Sequence, residues 1–194
     1  MTVKQGRPGY NREDILRIAV QEFNAHGYEA TSMGDLAKVL GLSKSAIYHH
    51  ISSKEDLLKS ATDKALTLLD SVVAECEESE ASAIERLHIL VRGTTAALCA
   101  EAQYVTLLIR LRGNSEVELA ALARRREFTN YLVSLVAEAQ GEGALRSEVD
   151  SAVAGRLLFG MINSLVEWYV PGGRLDSDQV ANIVEVMVFK GLQL

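Results

Sequence analysis

Cysteine and proline are nearly missing from this chain, with two of each in 194 residues. Cys76 and Cys99 lie far apart, each in a helical context, and are expected to be reduced thiols rather than a disulfide. No uninterrupted apolar run is long enough to span a membrane. The first ten residues lack the apolar core of a signal peptide, so the expected location is the cytoplasm. Catalytic signatures are missing as well. His26, His49, His50 and His88 have no metal-ligand spacing with cysteines or carboxylates. His49 and His50 are adjacent, so on a helix they point about 100° apart. There is no Gly-x-Ser-x-Gly, no phosphate-binding loop and no dinucleotide fingerprint. No catalytic residue, metal site or cofactor is therefore expected, and the chain does not read as an enzyme. It also lacks repeats, low-complexity stretches and convincing strands.

What is present is a helical, globular chain. Hydrophobic residues make up 48% and charged residues 24%, and the length suffices for one small module plus a larger domain with a real core. Apolar periodicity and capping residues predict helices over about 12–26, 54–77, 83–100, 103–112, 116–139 and 151–169, with a last one from Asp176 or Ser177 to about Gly191. Ile15, Ile18, Ala19 and Phe23 form the inward face of the first.

The most informative stretch is Ser32 to Leu58. Leu36 and Leu40 share one face of a short helix, and Ala37 beside them lets a second helix come close. Gly41 falls where the first helix must stop, since glycine tolerates the left-handed backbone used there. Ser43 can cap the next helix, with Ile47 as its inward anchor. Lys44, Ser45, Ala46, Tyr48 and His49 then face outward or sideways, while His50 is expected to pack within the domain. Ser53 and Asp56 resemble a capping box opening a third helix. Two short helices around a glycine turn, the second showing polar and aromatic side chains to solvent, is how a helix-turn-helix presents a recognition helix to the DNA major groove. An ordinary helical hairpin is the alternative.

The stretch from Asn11 to about Leu69 resembles the DNA-binding domain of the TetR family of transcriptional regulators. The matching residues include Phe23, Gly27, Tyr28, Thr31, Ser32, Met33, Leu36, Ala37, Leu40, Gly41, Ser43, Lys44, Ala46, Ile47, Tyr48, His49, His50, Ser53, Lys54, Leu57 and Leu58. Ile51 departs from the family's usual phenylalanine. The resemblance implies an all-α protein with an N-terminal three-helix DNA-binding domain and a C-terminal helical domain for ligand binding and dimerisation. Residues 1–52 would hold an arm and the helix-turn-helix, residues 53–194 the second domain, with the helix over 53–77 joining them.

By the same resemblance, Thr31 and Ser32 would bond phosphates. Ser43, Lys44, Ser45 and Ala46 would approach bases and the groove wall; Lys44 could donate to guanine and Ala46 could pack on a thymine methyl. Tyr48 and His49 would reach backbone or bases, and Lys54 a phosphate. Lys4 and Arg7 in the N-terminal arm would touch the DNA backbone. Each polar residue here has a solvated face as its alternative role. The net charge of −6 does not oppose this reading. Residues 1–60 hold 8 Lys and Arg against 7 Asp and Glu, a net +1, and residues 61–194 hold 12 against 19, a net −7. A local positive face suffices, and acidic side chains elsewhere keep the rest of the chain off phosphates.

The last helices are unusually apolar, and polar surface there is too scarce for a monomer's outermost helices. TetR-like proteins use such helices as a dimer interface, which would involve Leu158, Ile162, Leu165, Ile183 and Met187; the core of a monomer is the alternative. The family resemblance also implies a ligand cavity within residues 83–170. Tyr104, Phe128, Phe159, Asn163, Trp168 and Tyr169 would supply its walls, and Arg110 and Arg112 would meet a phosphate or carboxylate, unless they form surface salt bridges. Arg124, Arg125 and Arg126 fan around a helix nearby. The stretches 107–114 and 158–173 resemble TetR-like regulators of fatty-acid, steroid and aromatic-acid breakdown, several of which respond to acyl- or aryl-CoA thioesters. The expected protein is a homodimeric regulator, a repressor released from double-stranded operator DNA by a small-molecule effector such as an acyl- or aryl-CoA. The rival is a ligand-binding helical protein that acts through protein partners without specific DNA recognition.

Overall fold

The computed structural model describes residues 10–192, so Lys4 and Arg7 lie outside the described residues. Among the described residues every regular element is helical: α1 (Arg12–His26), α2 (Met33–Leu40), α3 (Lys44–Tyr48), α4 (Lys54–Glu78), α5 (Ala83–Ala100), α6 (Ala102–Arg110), α7 (Glu116–Gly141), α8 (Ser151–Asn163), α9 (Leu165–Trp168) and α10 (Ser177–Leu192). The all-α class expected from the sequence is the class observed. The chain divides into two compact units, one ending at Ala61 and one beginning at Thr62. That division falls inside α4, a single 25-residue helix.

In the N-terminal unit, α1 buries Ile15, Leu16, Ala19, Val20 and Phe23 among Leu36, Ala37 and Leu40 of α2, Ile47 of α3, and Leu57 and Leu58 of α4. Ile18 is only half-buried; Leu16 and Val20 take the inward positions beside it. Full burial of each large side chain contributes about 1.5–3 kcal/mol. Ile51, the departure from the family pattern, is 2% exposed and fills its place in this core.

In the C-terminal unit α5 is central, packing against α7 and α10, while α7 packs against α8. Two glycines allow close helix approach. A Cβ on Gly93 would stand 2.8 Å from a Val72 methyl, and one on Gly155 would stand 2.7 Å from a Val133 methyl. On the other side of α5, Arg92 donates to Asn182 and Glu185 of α10, and His88 stacks on Phe189 at 3.6 Å. Cys76 and Cys99 are buried free thiols. No helix among the described residues is long and apolar enough to cross a membrane.

Two differences from the sequence reading have local causes. The helix expected over 151–169 is broken at Ser164, whose hydroxyl donates to the Met161 carbonyl at 2.7 Å while its N–H reaches both Gly160 and Met161. Such back-bonding competes with the helical ladder and divides α8 from α9. The second difference concerns the apolar stripe of α8 and α9. Leu158, Ile162 and Leu165, expected at a dimer interface, are buried in the chain's own core. The side chains left exposed are Val153 and Leu157, the latter 69% exposed. A stripe this broad spans two helix faces, and the neighbours in α7 and α5 cover the one carrying Leu158 and Ile162. On α10, Ile183, Val186 and Met187 are exposed.

Candidate nucleic-acid interface and ligand cavity

The helix-turn-helix is built from local hydrogen bonds. Ser32 caps α2 through a reciprocal box: its Oγ accepts the Asp35 N–H at 3.2 Å, and the Asp35 carboxylate accepts the Ser32 N–H at 3.2 Å and the Ser32 hydroxyl at 2.6 Å. These bonds, the Ser32 hydroxyl first and Lys38 next, lower the Asp35 pKa to about 2. At the other end Gly41 is left-handed (φ 65°), donating to the Ala37 and Lys38 carbonyls, and Leu42 donates to Ala37. This is a Schellman stop, which the sequence announced through Gly41. Ser43 then caps α3, accepting the Ala46 N–H at 3.2 Å.

The five-residue α3 buries only Ile47. Lys44, Ser45, Tyr48 and His49 are exposed, Tyr48 to 50%, and Ala46 is half-buried. His50 is exposed as well; the chain leaves the helix just before it, so it does not pack within the domain as expected. Ser32, expected to bond a phosphate through its hydroxyl and amide, gives both to Asp35, and two other residues expected to meet phosphates are engaged inside the unit. Thr31 is 3% exposed, and its hydroxyl donates to the Gly27 carbonyl at 2.9 Å while its N–H also turns inward. Thr31 therefore closes the turn between α1 and α2, and its hydroxyl is not presented to DNA. Lys54 donates to the Tyr28 carbonyl at 2.9 Å and lies 4.1 Å above the Tyr28 ring. Its ammonium fastens the turn to the start of α4. There Asp56 accepts the Ser52 N–H and the Arg12 guanidinium and stays below its usual carboxylate range, mainly through the Ser52 N–H.

In the C-terminal unit the expected ligand residues do not form one group. A cavity with about 20 Å³ of free space, room for about one water, lies among α4, α5, α6, α7 and α8. Of the residues expected to wall a ligand cavity, Phe159 and Asn163 line it. Phe128 lies in the core next door, tilted against the cavity residue Phe159 at 5.3 Å. Tyr104 is buried beneath the Lys64 ammonium at 4.4 Å. Trp168 is exposed and belongs to a surface groove with Tyr169 and Arg174. Arg110 and Arg112 are exposed and line neither the cavity nor that groove. The turn beside them is already filled: the Glu118 carboxylate, 3% exposed, accepts the N–H groups of Arg112, Gly113 and Asn114 at 2.9, 2.8 and 3.2 Å. Successive N–H groups of this kind make an anion-binding nest, and the chain's own carboxylate occupies it. Of the polar residues lining the cavity, Thr94 is absent from the sequence reading, hidden as a small polar residue within a helix, and Arg125 enters it only within a triplet where nothing distinguishes it from Arg124 or Arg126.

Among the described residues no group of three or more His, Cys, Asp or Glu gathers as a metal site. A capped helix-turn-helix joined by one long helix to a cavity-bearing bundle defines the class: a helix-turn-helix transcriptional regulator. Residues 15–61 match the family model for bacterial regulatory proteins of the tetR family, and residues 80–192 match that for the tetracyclin repressor-like C-terminal domain. The chain belongs to the TetR family of DNA-binding transcriptional regulators. A solved TetR-family regulator from Streptomyces coelicolor is 42% identical, with a TM-score of 0.85 over 100% of this chain and 94% of that one. The transcriptional repressor KstR2 of Rhodococcus jostii is 28% identical over 97% of this chain and 92% of its own length. The structure of AibR in complex with isovaleryl coenzyme A and operator DNA is 27% identical, with a TM-score of 0.76 over 92% of this chain and 97% of that one.

Proposed function

We propose that this protein is a homodimeric repressor that leaves its operator when a small-molecule effector, an acyl- or aryl-CoA thioester, engages the C-terminal unit. The observation that carries this reading is α4 itself. Its first turns hold Leu57 and Leu58 in the core of the DNA-binding unit, and further along its Ala65 and Leu69 line the cavity. The cavity is nearly closed, so an effector must part its walls, α4 among them. DNA and effector then favour different arrangements of the same helix, and each lowers affinity for the other. The named repressor KstR2 and the CoA-bound AibR support both parts.

On the DNA side, Lys44, Ser45, Ala46, Tyr48 and His49 meet the groove, Ser43 sets the start of their helix, and the first-turn N–H groups of α2, beside the Ser32 cap, face a phosphate. Thr31 and Lys54 act indirectly, by holding the turn that positions α2. The dimer forms through side chains left exposed on α8 and α10, namely Val153, Leu157, Ile183, Val186 and Met187. Operator symmetry requires a matching two-fold protein. The proposed functional boundary stays at residues 1–52 and 53–194, with the start of α4 as the joint. The protein acts in the cytoplasm, without catalysis.

The test is fluorescence anisotropy of the full chain on the DNA flanking its own gene, titrated first with salt and then with acyl- and aryl-CoA thioesters. Tight, salt-sensitive binding released by one thioester is the expected result. Binding that no thioester disturbs overturns the effector class. No preference for any duplex over random DNA, after selection from a random pool, favours the rival reading of a regulator working through protein partners.

A further inference from the structure

Three polar groups line the cavity among α4, α5, α6, α7 and α8, and two of them, Thr94 and Arg125, have no hydrogen-bond partner among the described residues. Thr94, on α5, is 2% exposed, and its Oγ1 is a buried oxygen with no hydrogen-bond partner. Arg125, on α7, lines the same space, its guanidinium carbon 5.9 Å from the Phe159 ring centre. No carboxylate, carbonyl or hydroxyl of the described residues pairs with it, and burial alone pushes its pKa below the ordinary arginine value. The contrast with its neighbour is informative. Arg124, one position earlier, holds two carboxylates, Asp63 at 2.8 Å and Asp70. The third group is the Asn163 side-chain amide, at the end of α8. The remaining walls are apolar, with Leu69, Leu98 and Leu108 prominent.

A half-buried arginine without an acid is costly, because it has lost water and gained no counter-charge. An unpaired buried hydroxyl adds a smaller cost of the same kind. Both costs disappear if an anion with two acceptor oxygens sits between them. Arginine's planar fork matches a carboxylate's two oxygens, and the Thr94 hydroxyl and Asn163 amide can each donate once more. The apolar walls suit a hydrocarbon body. The free space of about 20 Å³ holds about one water, so the carboxylate, like the body behind it, enters as the walls part.

We infer that the cavity of the C-terminal unit recognises a carboxylate on an apolar molecule, with Arg125 as the counter-ion and Thr94 and Asn163 as the flanking donors. This rests on the reading of the chain as an effector-released regulator and adds a carboxylate to what that effector must carry, whether or not it is a thioester. The carboxylate is either that of a free apolar acid or the far end of a dicarboxylic acyl thioester.

The test uses calorimetry and thermal melting on the full chain with matched pairs: hexanoate against hexanamide, phenylacetate against phenylacetamide, and adipyl-CoA against hexanoyl-CoA. The wild type is expected to prefer the carboxylate member of at least one pair by tenfold or more. Arg125→Met should bring that preference within about twofold of parity, and Thr94→Val should weaken the acid several-fold. Without ligand, Arg125→Met should melt at a higher temperature than wild type, because it removes a desolvated cation. Equal binding of acid and amide throughout, a preference that survives Arg125→Met, or a lower melting temperature for unliganded Arg125→Met would each overturn the inference. A free acid binding better than the thioester, or the reverse, identifies the source and supports the site either way. Operator release by the same ligands separates the two proposals. A carboxylate that binds through Arg125 yet leaves DNA bound defeats the effector reading and keeps the site. A thioester that releases DNA equally from wild type and Arg125→Met keeps the regulator and defeats the site.

Discussion

Lys44 crosses over Gly34. A Cβ built on Gly34 would stand 3.0 Å from the Lys44 Cε and 3.2 Å from its Nζ. The bare backbone of α2 is therefore the surface along which the lysine of the recognition helix lies. Replacing Gly34 by alanine should favour α2, since glycine in a helix costs up to about 1 kcal/mol relative to alanine. It should also displace the Lys44 ammonium, the far end of a flexible chain. The expected outcome is unchanged or higher resistance to denaturant together with several-fold weaker operator binding. A Gly34→Ala protein with both properties improved would mean that the observed Lys44 position is not the one used on DNA.

Lys44→Ala and Tyr48→Ala should each weaken operator binding by about 1–3 kcal/mol, the usual cost of losing a groove contact. Both side chains are exposed, so thermal stability should hardly change. Salt titrations distinguish their roles. If Lys44 meets a phosphate, its loss lowers the slope of log affinity against log salt by about 1; if it reads a base, specificity relaxes at one position instead.

The cap of α2 titrates. The Asp35 pKa is lowered to about 2, first by the Ser32 hydroxyl and then by Lys38. Its folded value lies below its unfolded value of 3.8. The stabilisation is therefore complete above the unfolded value and is lost as pH falls from about 4 toward about 2. Ser32→Ala should raise the Asp35 pKa toward the ordinary carboxylate value, as read by NMR titration of its carboxyl carbon. No movement would show that Lys38 and the backbone hold the carboxylate without Ser32.

Glu118→Ala should destabilise the C-terminal unit by about 2–3 kcal/mol. It leaves the N–H groups of residues 112–114 without their acceptor, and hydrogen bonds to charged groups contribute about 1.5–3 kcal/mol. Amide exchange should rise at Arg112, Gly113 and Asn114, with the remainder of α7 still protected. Uniform exchange across the unit would instead make Glu118 a global anchor.

The dimer proposal separates cleanly from core effects. Leu157→Glu and Met187→Glu replace exposed apolar side chains, Met187 being 64% exposed. Both should yield folded monomers by analytical ultracentrifugation. Ile162→Ala acts on a core residue and should cost about 2–5 kcal/mol without shifting the association constant of the folded protein. Dimers of unchanged strength in both glutamate variants would place the interface elsewhere.

What the sequence made legible was local in its physics. Gly41, Ser43 and the inward Ile47 each act within four residues of themselves, so their spacing alone shows a stop, a cap or an anchor. The fold class followed from periodicity for the same reason. What was not legible depends on neighbours distant in sequence. Leu157 and Leu158 are both leucines of one apolar stripe, and only the placement of α7 and α5 decides which is covered. Arg124 and Arg125 are identical until Asp63 and Asp70 come within reach of one of them. Thr31 looked available until the turn after α1 drew its hydroxyl to Gly27.

The recognition helix has five residues, and at about 1.5 Å per residue it is about 7.5 Å long. Base pairs stack at about 3.4 Å, so that length runs beside only two or three of them. A reading head this short carries little information by itself. Discrimination against a whole genome must come from repetition, with two heads held at a fixed separation. Anything that alters that separation erases the address while leaving every individual contact chemically intact.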